Sequence, residues 1–224
     1  PDAKHAPLYA DVEIPEPPTF YDDYSNRAHA AAAAEMRIDR DLQFKDVKED
    51  PPEGLSPLEL KRWYYQRYIK DYLRCVASID DNVGRLLDYL DEKGLAENTV
   101  VIYTSDQGFF LGDHGWFDKR FMYDESLRMP LVMSYPARIP VREQPVEQIV
   151  TNVDFAQTIL DFAGVDALDR MQGVSIVPQL TDEPDRPTRE AMYYRYFEND
   201  DVDHHALAHY GIRTHTHKYI HYYN

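Results

Sequence analysis

Near the middle of the chain, one segment holds the residues best suited to chemistry on an anion. A β-branched and aromatic run at residues 99–104 ends abruptly in Ser-Asp-Gln-Gly at residues 105–108. This pattern predicts a buried parallel strand that delivers a carboxylate and a carboxamide into a loop at its C-terminal edge, where open α/β sheets bind ligands. Asp106 and Gln107 offer hard oxygen ligands for Ca²⁺ or Mg²⁺. Lys119 offers a positive charge for an anion beside such a metal.

Three polar residues close to Lys119 are further candidates for the site. Asp118 and Arg120 flank the lysine. Charged neighbours in a loop are most often only solvated, but a bidentate arginine and an acceptor carboxylate would also suit a polyol. His114, within Gly-Asp-His-Gly, either lines the pocket or holds the loop, and we favour the loop role.

A long helix is predicted to precede the strand. Residues 56–59 combine a serine N-cap, a proline in the first turn and a glutamate that reaches back, and Gly94 supplies a left-handed stop. The apolar stripe of this helix is expected to pack on a sheet, and we expect Cys75 to lie in the core on that stripe. The stripe comprises Ile69, Tyr72, Leu73, Val76, Ile79, Val83, Leu86, Leu87 and Leu90.

The order of the elements predicts an α/β fold. A second apolar strand at Leu131–Tyr135 and a helix at Asp154–Ala163, closed by Gly164, continue the alternation, so a parallel core sheet is expected. Residues rich in Tyr, Thr and Ile at Ala191–Phe197 and Gly211–Tyr223 predict a small antiparallel sheet packed on it.

Less regular structure is expected at the beginning of the chain and between the last strands. Residues 1–55 are rich in proline and acidic side chains, with one short helical patch at Ala28–Met36 that we interpret as a surface helix. Residues 200–209 form a polar loop that could fold back over the site. Its histidines could bind Zn²⁺, but their spacing matches no zinc pattern, and a solvated loop or a sugar contact explains them better.

Composition limits the classes of function. The chain has 224 residues, of which 43% are hydrophobic, and can bury a substantial core. Its net charge of −16 argues against nucleic acid as a partner. No apolar run approaches the roughly 18 residues that a membrane span requires. The single cysteine excludes an internal disulfide framework.

The same central segment resembles type I sulfatases of the alkaline-phosphatase-like superfamily. Asp-Lys-Arg at residues 118–120, then Tyr123 and Arg-Met-Pro at 128–130, is similar to the branch of N-acetylglucosamine-6-sulfatases and related glycosaminoglycan sulfatases. The resemblance continues through residues 172–175 and 209–214. It implies an alkaline-phosphatase-like mixed or parallel sheet flanked by helices, and a sulfuric ester hydrolase acting on a sulfated carbohydrate.

The resemblance also implies roles for individual residues. Asp106 and Gln107 correspond to calcium ligands, and Lys119 to the lysine that contacts the sulfate group. Asp118 and Arg120 correspond to residues that hydrogen-bond sugar hydroxyls. The histidine before Tyr-Gly-Ile-Arg, His209, corresponds to one that touches the sugar ring, and His114 remains a candidate for the pocket.

One feature of the family is absent from this sequence. Sulfatases oxidise a Cys or Ser, followed by Pro two residues on and Arg four residues on, to the formylglycine nucleophile, and this chain has no such motif. We therefore expect a C-terminal-half fragment that is inactive by itself. Residues 1–180 would be the later part of the catalytic domain and residues 181–224 the start of a smaller α+β subdomain. The family suggests a periplasmic or extracellular location, which the sequence itself leaves unknown.

Two alternatives remain open at this stage. A phosphatase or phosphonate hydrolase of the same superfamily would also place an aspartate at this strand end, but typically with a histidine for zinc, and Gln107 is a poor zinc ligand. The chain as given could also be a catalytically inert fragment.

Overall fold

The computed structural model describes residues 1–183 and 188–223, and these residues form an α/β arrangement. The helices are α1 (His29–Ala33), α2 (Phe44–Val47), α3 (Pro57–Glu92), α4 (Asp124–Leu127), α5 (Asp154–Phe162) and α6 (Val177–Leu180). The strands are β1 (Val101–Thr104), β2 (Leu131–Ser134), β3 (Ala191–Tyr196), β4 (His209–Thr214) and β5 (Lys218–Tyr222). Short 3-10 helices cover Ala3–His5, Ala96–Asn98 and Asp113–Gly115.

The ends of α3 follow the predicted signals. The Glu59 backbone N–H donates to Ser56 Oγ, and the Ser56 N–H donates back to the Glu59 carboxylate at 2.8 Å. Gly94 has a φ of +64°, which ends the helix in the left-handed conformation. Capping and stop signals act within one turn, so both helix boundaries could be predicted from the local sequence.

The predicted packing of α3 is wrong within the described residues. Ile69 is buried, but Ile79 is 46% exposed and Leu86 is 52% exposed. Cys75 is also exposed, so the expectation of a core cysteine is incorrect. The physical reason is that α3 packs against α2 and two of the 3-10 helices rather than against a sheet.

Both sheets of the described residues are antiparallel. β1 pairs with β2 in the register Val101 with Ser134 and Thr104 with Leu131, so the parallel pairing expected for these strands is wrong. Parallel neighbours require a crossover, usually a helix, whereas the connection from β1 to β2 contains only a short 3-10 helix, Asp113–Gly115, and the four-residue α4. The small antiparallel sheet is confirmed, in the order β3-β4-β5.

The aromatic core lies between α1 and the loop that follows β1. Trp116 is fully buried and stacks between Tyr24 and Phe121, with ring centroids 5.4 and 5.1 Å away. Ala31 and Ala34 of the α1 region are fully buried in the same cluster, so the predicted surface helix is instead a core element. Alanines bring the α1 backbone close to the aromatic rings, which accounts for the alanine run.

Residues of the irregular N-terminal region hold this loop in place. The Ile38 N–H donates to the Gly115 carbonyl at 2.9 Å, and the Phe117 N–H donates to the Met36 carbonyl at 2.9 Å. An isolated antiparallel bridge between Arg37 and Trp116 results. The loop after β1 is therefore fixed by backbone pairing on the side of residues 36–38.

Candidate functional site

The strand-end residues occupy the predicted position in the loop after β1. Asp106 is exposed, and its carboxylate accepts a hydrogen bond from Ser105 Oγ at 3.3 Å. Gln107 is half-buried. Gly108 follows and donates its N–H to the Ser126 carbonyl at 2.8 Å. Asp106 and Gln107 therefore directly precede the point at which the loop backbone contacts α4.

Lys119 is linked to the same residue of α4. Ser126 Oγ donates to the Lys119 carbonyl at 2.6 Å, so one serine contacts the backbone of both Gly108 and Lys119. Lys119 is half-buried, and its ammonium group has no hydrogen bond or ion pair among residues 1–183 and 188–223. Ser126 thus connects the backbone of the strand-end loop with the backbone of Lys119, and the lysine ammonium has no partner in the described part of the chain.

Asp118 and Arg120 belong to a charged cluster beside Lys119. Asp118 has a φ of +69°, and its two oxygens lie 3.4 Å from Arg120 Nε and 2.8 Å from His204 Nε2. Arg120 Nη1 also donates to Glu198 at 2.8 Å. Burial acts to lower the pKa of Arg120, but the charge of Asp118 and the contacts with Tyr196 and Glu198 raise it, so this guanidinium stays charged.

His204 was not singled out from the sequence, yet it reaches the site. Its Nδ1 lies 3.0 Å from Asp201 Oδ1 and its Nε2 lies 2.8 Å from Asp118 Oδ2. A local signal existed in the Asp-x-x-His spacing, because a carboxylate at Asp201 can accept from the backbone N–H and the ring three residues later. No local signal indicated the contact with Asp118.

His209 has an environment different from the predicted sugar contact. The ring is fully buried between aromatic side chains, among them Phe121 and Tyr196. Its Nδ1 donates to the Leu207 carbonyl at 2.8 Å, and its Nε2 accepts the Met122 N–H at 3.2 Å. Burial lowers the pKa of His209, which favours the neutral ring. Both nitrogens are therefore engaged inside the protein, and this geometry does not support a contact with sugar.

His114 has the contacts of a residue that holds the loop. It is buried, with a φ of +58°, and its Nδ1 donates to Asp22 at 2.9 Å. Its backbone carbonyl accepts the Tyr24 hydroxyl at 2.6 Å, and its N–H donates to Thr19 Oγ1 at 3.0 Å. These bonds tie the loop to the N-terminal region, in line with the loop role that the sequence favoured.

The donor set at the strand end suits a hard cation in part. Asp106 supplies a carboxylate and Gln107 an amide oxygen, and such oxygens are the ligands of Ca²⁺. Calcium takes six to eight oxygens, so this pair would fill only part of its coordination sphere. In the described part of the chain, no group of three or more His, Cys, Asp or Glu side chains is arranged to hold a metal. Within the same residues, no helix has the length and apolar character to cross a bilayer.

Two family models match the chain and together cover all of it. The model described as Sulfatase matches residues 1–165. The model described as N-sulphoglucosamine sulphohydrolase, C-terminal, matches residues 112–224. The chain therefore belongs to the sulfatase family, as its central segment indicated.

Individual relatives place the chain more closely within this family. It is 40% identical to N-acetylglucosamine-6-O-sulfatase of Bacteroides thetaiotaomicron, a match that covers 100% of this chain and 47% of that protein. A solved structure of a protein in complex with its substrate, D-glucosamine-2-N,6-O-disulfate, is 39% identical, with a TM-score of 0.90 over 99% of this chain and 53% of that one. The chain thus spans about half the length of these relatives.

The fold is shared more widely than the chemistry. A phosphonate monoester hydrolase from Silicibacter pomeroyi superimposes with a TM-score of 0.70 over 98% of this chain and 44% of that one, at 21% identity. At that identity the likeness shows the fold alone. It confirms the alkaline-phosphatase-like α/β architecture and gives no support to the phosphatase or phosphonate hydrolase alternative.

Proposed function

We propose that the protein containing this chain is a sulfatase that hydrolyses the sulfate ester of a sulfated carbohydrate, with 6-O-sulfated glucosamine as the substrate class. Membership of the sulfatase family supports the reaction, as does the 40% identity to an N-acetylglucosamine-6-O-sulfatase. The sugar disulfate bound to the structural relative supports the substrate class. The observation that carries the proposal is that Ser126 is hydrogen-bonded both to the backbone of Gly108, directly after Asp106 and Gln107, and to the backbone of Lys119.

The proposed roles follow from the charges of these groups. Lys119 binds and orients the non-bridging oxygens of the sulfate group, and its ammonium stabilises the charge that develops there. Asp106 and Gln107 would hold Ca²⁺, which when bound supplies Lewis-acid stabilisation to the same oxygens. The nucleophile would be a formylglycine that this chain does not encode, so the isolated chain is proposed to be inactive.

Asp118 and Arg120 are proposed to bind the sugar. Asp118 Oδ1 and Arg120 Nε lie 3.4 Å apart, and both are buried without a hydrogen-bond partner in the described residues. A buried polar atom normally has such a partner, so this acceptor and donor together suit a sugar hydroxyl. A hydroxyl placed between them would accept from the guanidinium and donate to the carboxylate.

The proposal is tested in the full-length protein with two esters, 4-nitrocatechol sulfate and 6-O-sulfated glucosamine. Lys119→Ala should lower kcat by about 10²- to 10³-fold on both, as expected for loss of a group that stabilises transition-state charge. Asp106→Ala should abolish the activity, and added calcium should not restore it. Lys45→Ala removes an exposed lysine from α2 and should leave both rates unchanged.

Three results would contradict the proposal. Wild-type rates in Lys119→Ala would contradict the proposed anion site. Wild-type rates in Asp106→Ala would contradict the proposed metal site. Multiple turnover of 4-nitrocatechol sulfate by the isolated 224-residue chain with Ca²⁺ would show that a nucleophile lies within it.

A further inference from the structure

The loop between β3 and β4, residues 197–208, is folded onto the segment that holds Asp118 and Arg120. Glu198 at the start of this loop accepts from Arg120 Nη1 at 2.8 Å. His204, near its end, lies with Nε2 2.8 Å from Asp118 Oδ2. Each of the two residues proposed to bind sugar therefore has an ionisable partner from this loop.

His204 is itself firmly held. Its backbone N–H donates to Asp201 Oδ1 at 2.9 Å, and its carbonyl accepts the Glu35 N–H at 2.7 Å. Its ring lies between two carboxylates, of Asp201 and Asp118, which only accept hydrogen bonds. The two ring nitrogens therefore face one carboxylate oxygen each, at 3.0 Å for Asp201 and 2.8 Å for Asp118.

We propose that His204 is a positioning residue that acts through Asp118 and so makes the β3–β4 loop a determinant of selectivity for sugar sulfates over aryl sulfates. The inference rests on the proposed function, in which Asp118 binds a sugar hydroxyl. It adds a residue outside the central segment and a physical reason for its effect.

The effect follows from the two basic side chains that flank Asp118. His204 Nε2 lies 2.8 Å from Oδ2, while Oδ1 faces Arg120 Nε at 3.4 Å. Without His204, Arg120 is the remaining basic side chain in contact with this carboxylate among the described residues. The carboxylate would then turn to form a bidentate pair with the guanidinium. That pair would occupy both the acceptor and the donor proposed for the sugar.

The measured quantity is the ratio of kcat/KM for 6-O-sulfated glucosamine to kcat/KM for 4-nitrocatechol sulfate, in the full-length protein. His204→Ala should lower this ratio about tenfold or more, mainly through KM for the sugar, as expected for loss of the polar partner that positions Asp118. His205→Ala is the matched control, because this neighbouring ring is exposed and pairs with Asp200 rather than with Asp118. It should leave the ratio unchanged.

A second pair of variants separates positioning from damage to the fold. Asp201→Asn weakens the contact between Asp201 and His204 Nδ1 and should lower the ratio by a smaller factor. This variant tests the inference even if His204→Ala does not fold. In the double variant His204→Ala with Asp118→Asn, the ratio should be no lower than in Asp118→Asn alone, because the histidine acts through that carboxylate.

The outcomes distinguish this inference from the proposed function. Wild-type activity on both esters, and its loss in Lys119→Ala, test the proposed function independently of His204. An equal fall for both esters in His204→Ala and Asp201→Asn would overturn the inference, because it would show only a structural role. An unchanged ratio in these variants, or multiplicative effects in the double variant, would also overturn it.

Discussion

Gly108→Ala is the substitution that most directly tests how the strand end is placed against α4. A Cβ at Gly108 would lie 2.1 Å from the Glu125 carbonyl oxygen and 2.8 Å from the Ser126 carbonyl carbon and oxygen. All of these are backbone atoms, which cannot turn away as a flexible side chain can. The substitution must therefore separate the strand-end loop from α4, on whose other side Ser126 holds the Lys119 carbonyl.

The magnitude follows from the contact distances. Adding a methyl group to a tightly packed site costs about 1–3 kcal/mol, and contacts of this length place Gly108→Ala near the upper end. Gly84→Ala is a matched control in the middle of α3, where a Cβ meets no atom within 4 Å. It should stabilise the protein by about 0.5–1 kcal/mol, because alanine favours a helix interior more than glycine does.

The assay combines urea denaturation with calcium titration of 4-nitrocatechol sulfate hydrolysis in the full-length protein. Gly108→Ala should lose stability. It should also require more calcium, since the proposed calcium ligands Asp106 and Gln107 directly precede the displaced residue. Gly84→Ala should leave the calcium requirement at the wild-type value. If Gly108→Ala keeps wild-type stability and calcium dependence, the placement of the strand end against α4 is wrong.

Three further predictions concern the contacts that support the site. Tyr24→Phe removes a buried hydroxyl that donates to the His114 carbonyl at 2.6 Å and should cost about 1–2 kcal/mol in urea denaturation. Burial acts to raise the pKa of Asp22, but hydrogen bonds from His114 and the Tyr24 backbone hold it below its ordinary value. Its stabilisation is therefore present above about pH 4 and lost as the pH falls through the lower folded value, so Asp22→Asn should flatten the acid end of the stability profile. Arg189→Ala leaves the fully buried Asp154 without its ion-pair partner and should cost about 3 kcal/mol by the same assay.

Signals within one or two turns of the chain were enough to predict several elements. The serine cap and glycine stop of α3, and Gly164 after α5, gave correct helix ends because each is a local hydrogen-bond or backbone requirement. The pairing of β1 with β2 was not predictable in this way. Strand direction depends on the path of the connecting residues, and the apolar character of a strand does not specify its neighbour.

The predicted burial of side chains in α1 and α3 is wrong for a related reason. The stripe of α3 is predicted from periodicity, which identifies an apolar face but not what covers it. The alanine run of α1 gives no such signal, because alanine has too little side chain to distinguish a core helix from a surface helix. Its place in the core follows from its burial in the aromatic cluster that includes Trp116. The burial of Cys75 was predicted from the same helix face, and this prediction is wrong for the same reason.

The first residue of β4 determines whether His209 lies in a loop or in a strand. The sequence placed the start of the last strand pair at Gly211, which left His209 in a loop, free to meet a ligand. β4 begins at His209, and alternate residues of a strand share a face, so His209 lies on the same side as Gly211. A Cβ at Gly211 would lie 2.4 Å from Met122 Sδ, which identifies that side as the packed one. His209 thus lies in the core by parity, whereas His204, which lies before the strand, is the histidine of this loop that contacts Asp118.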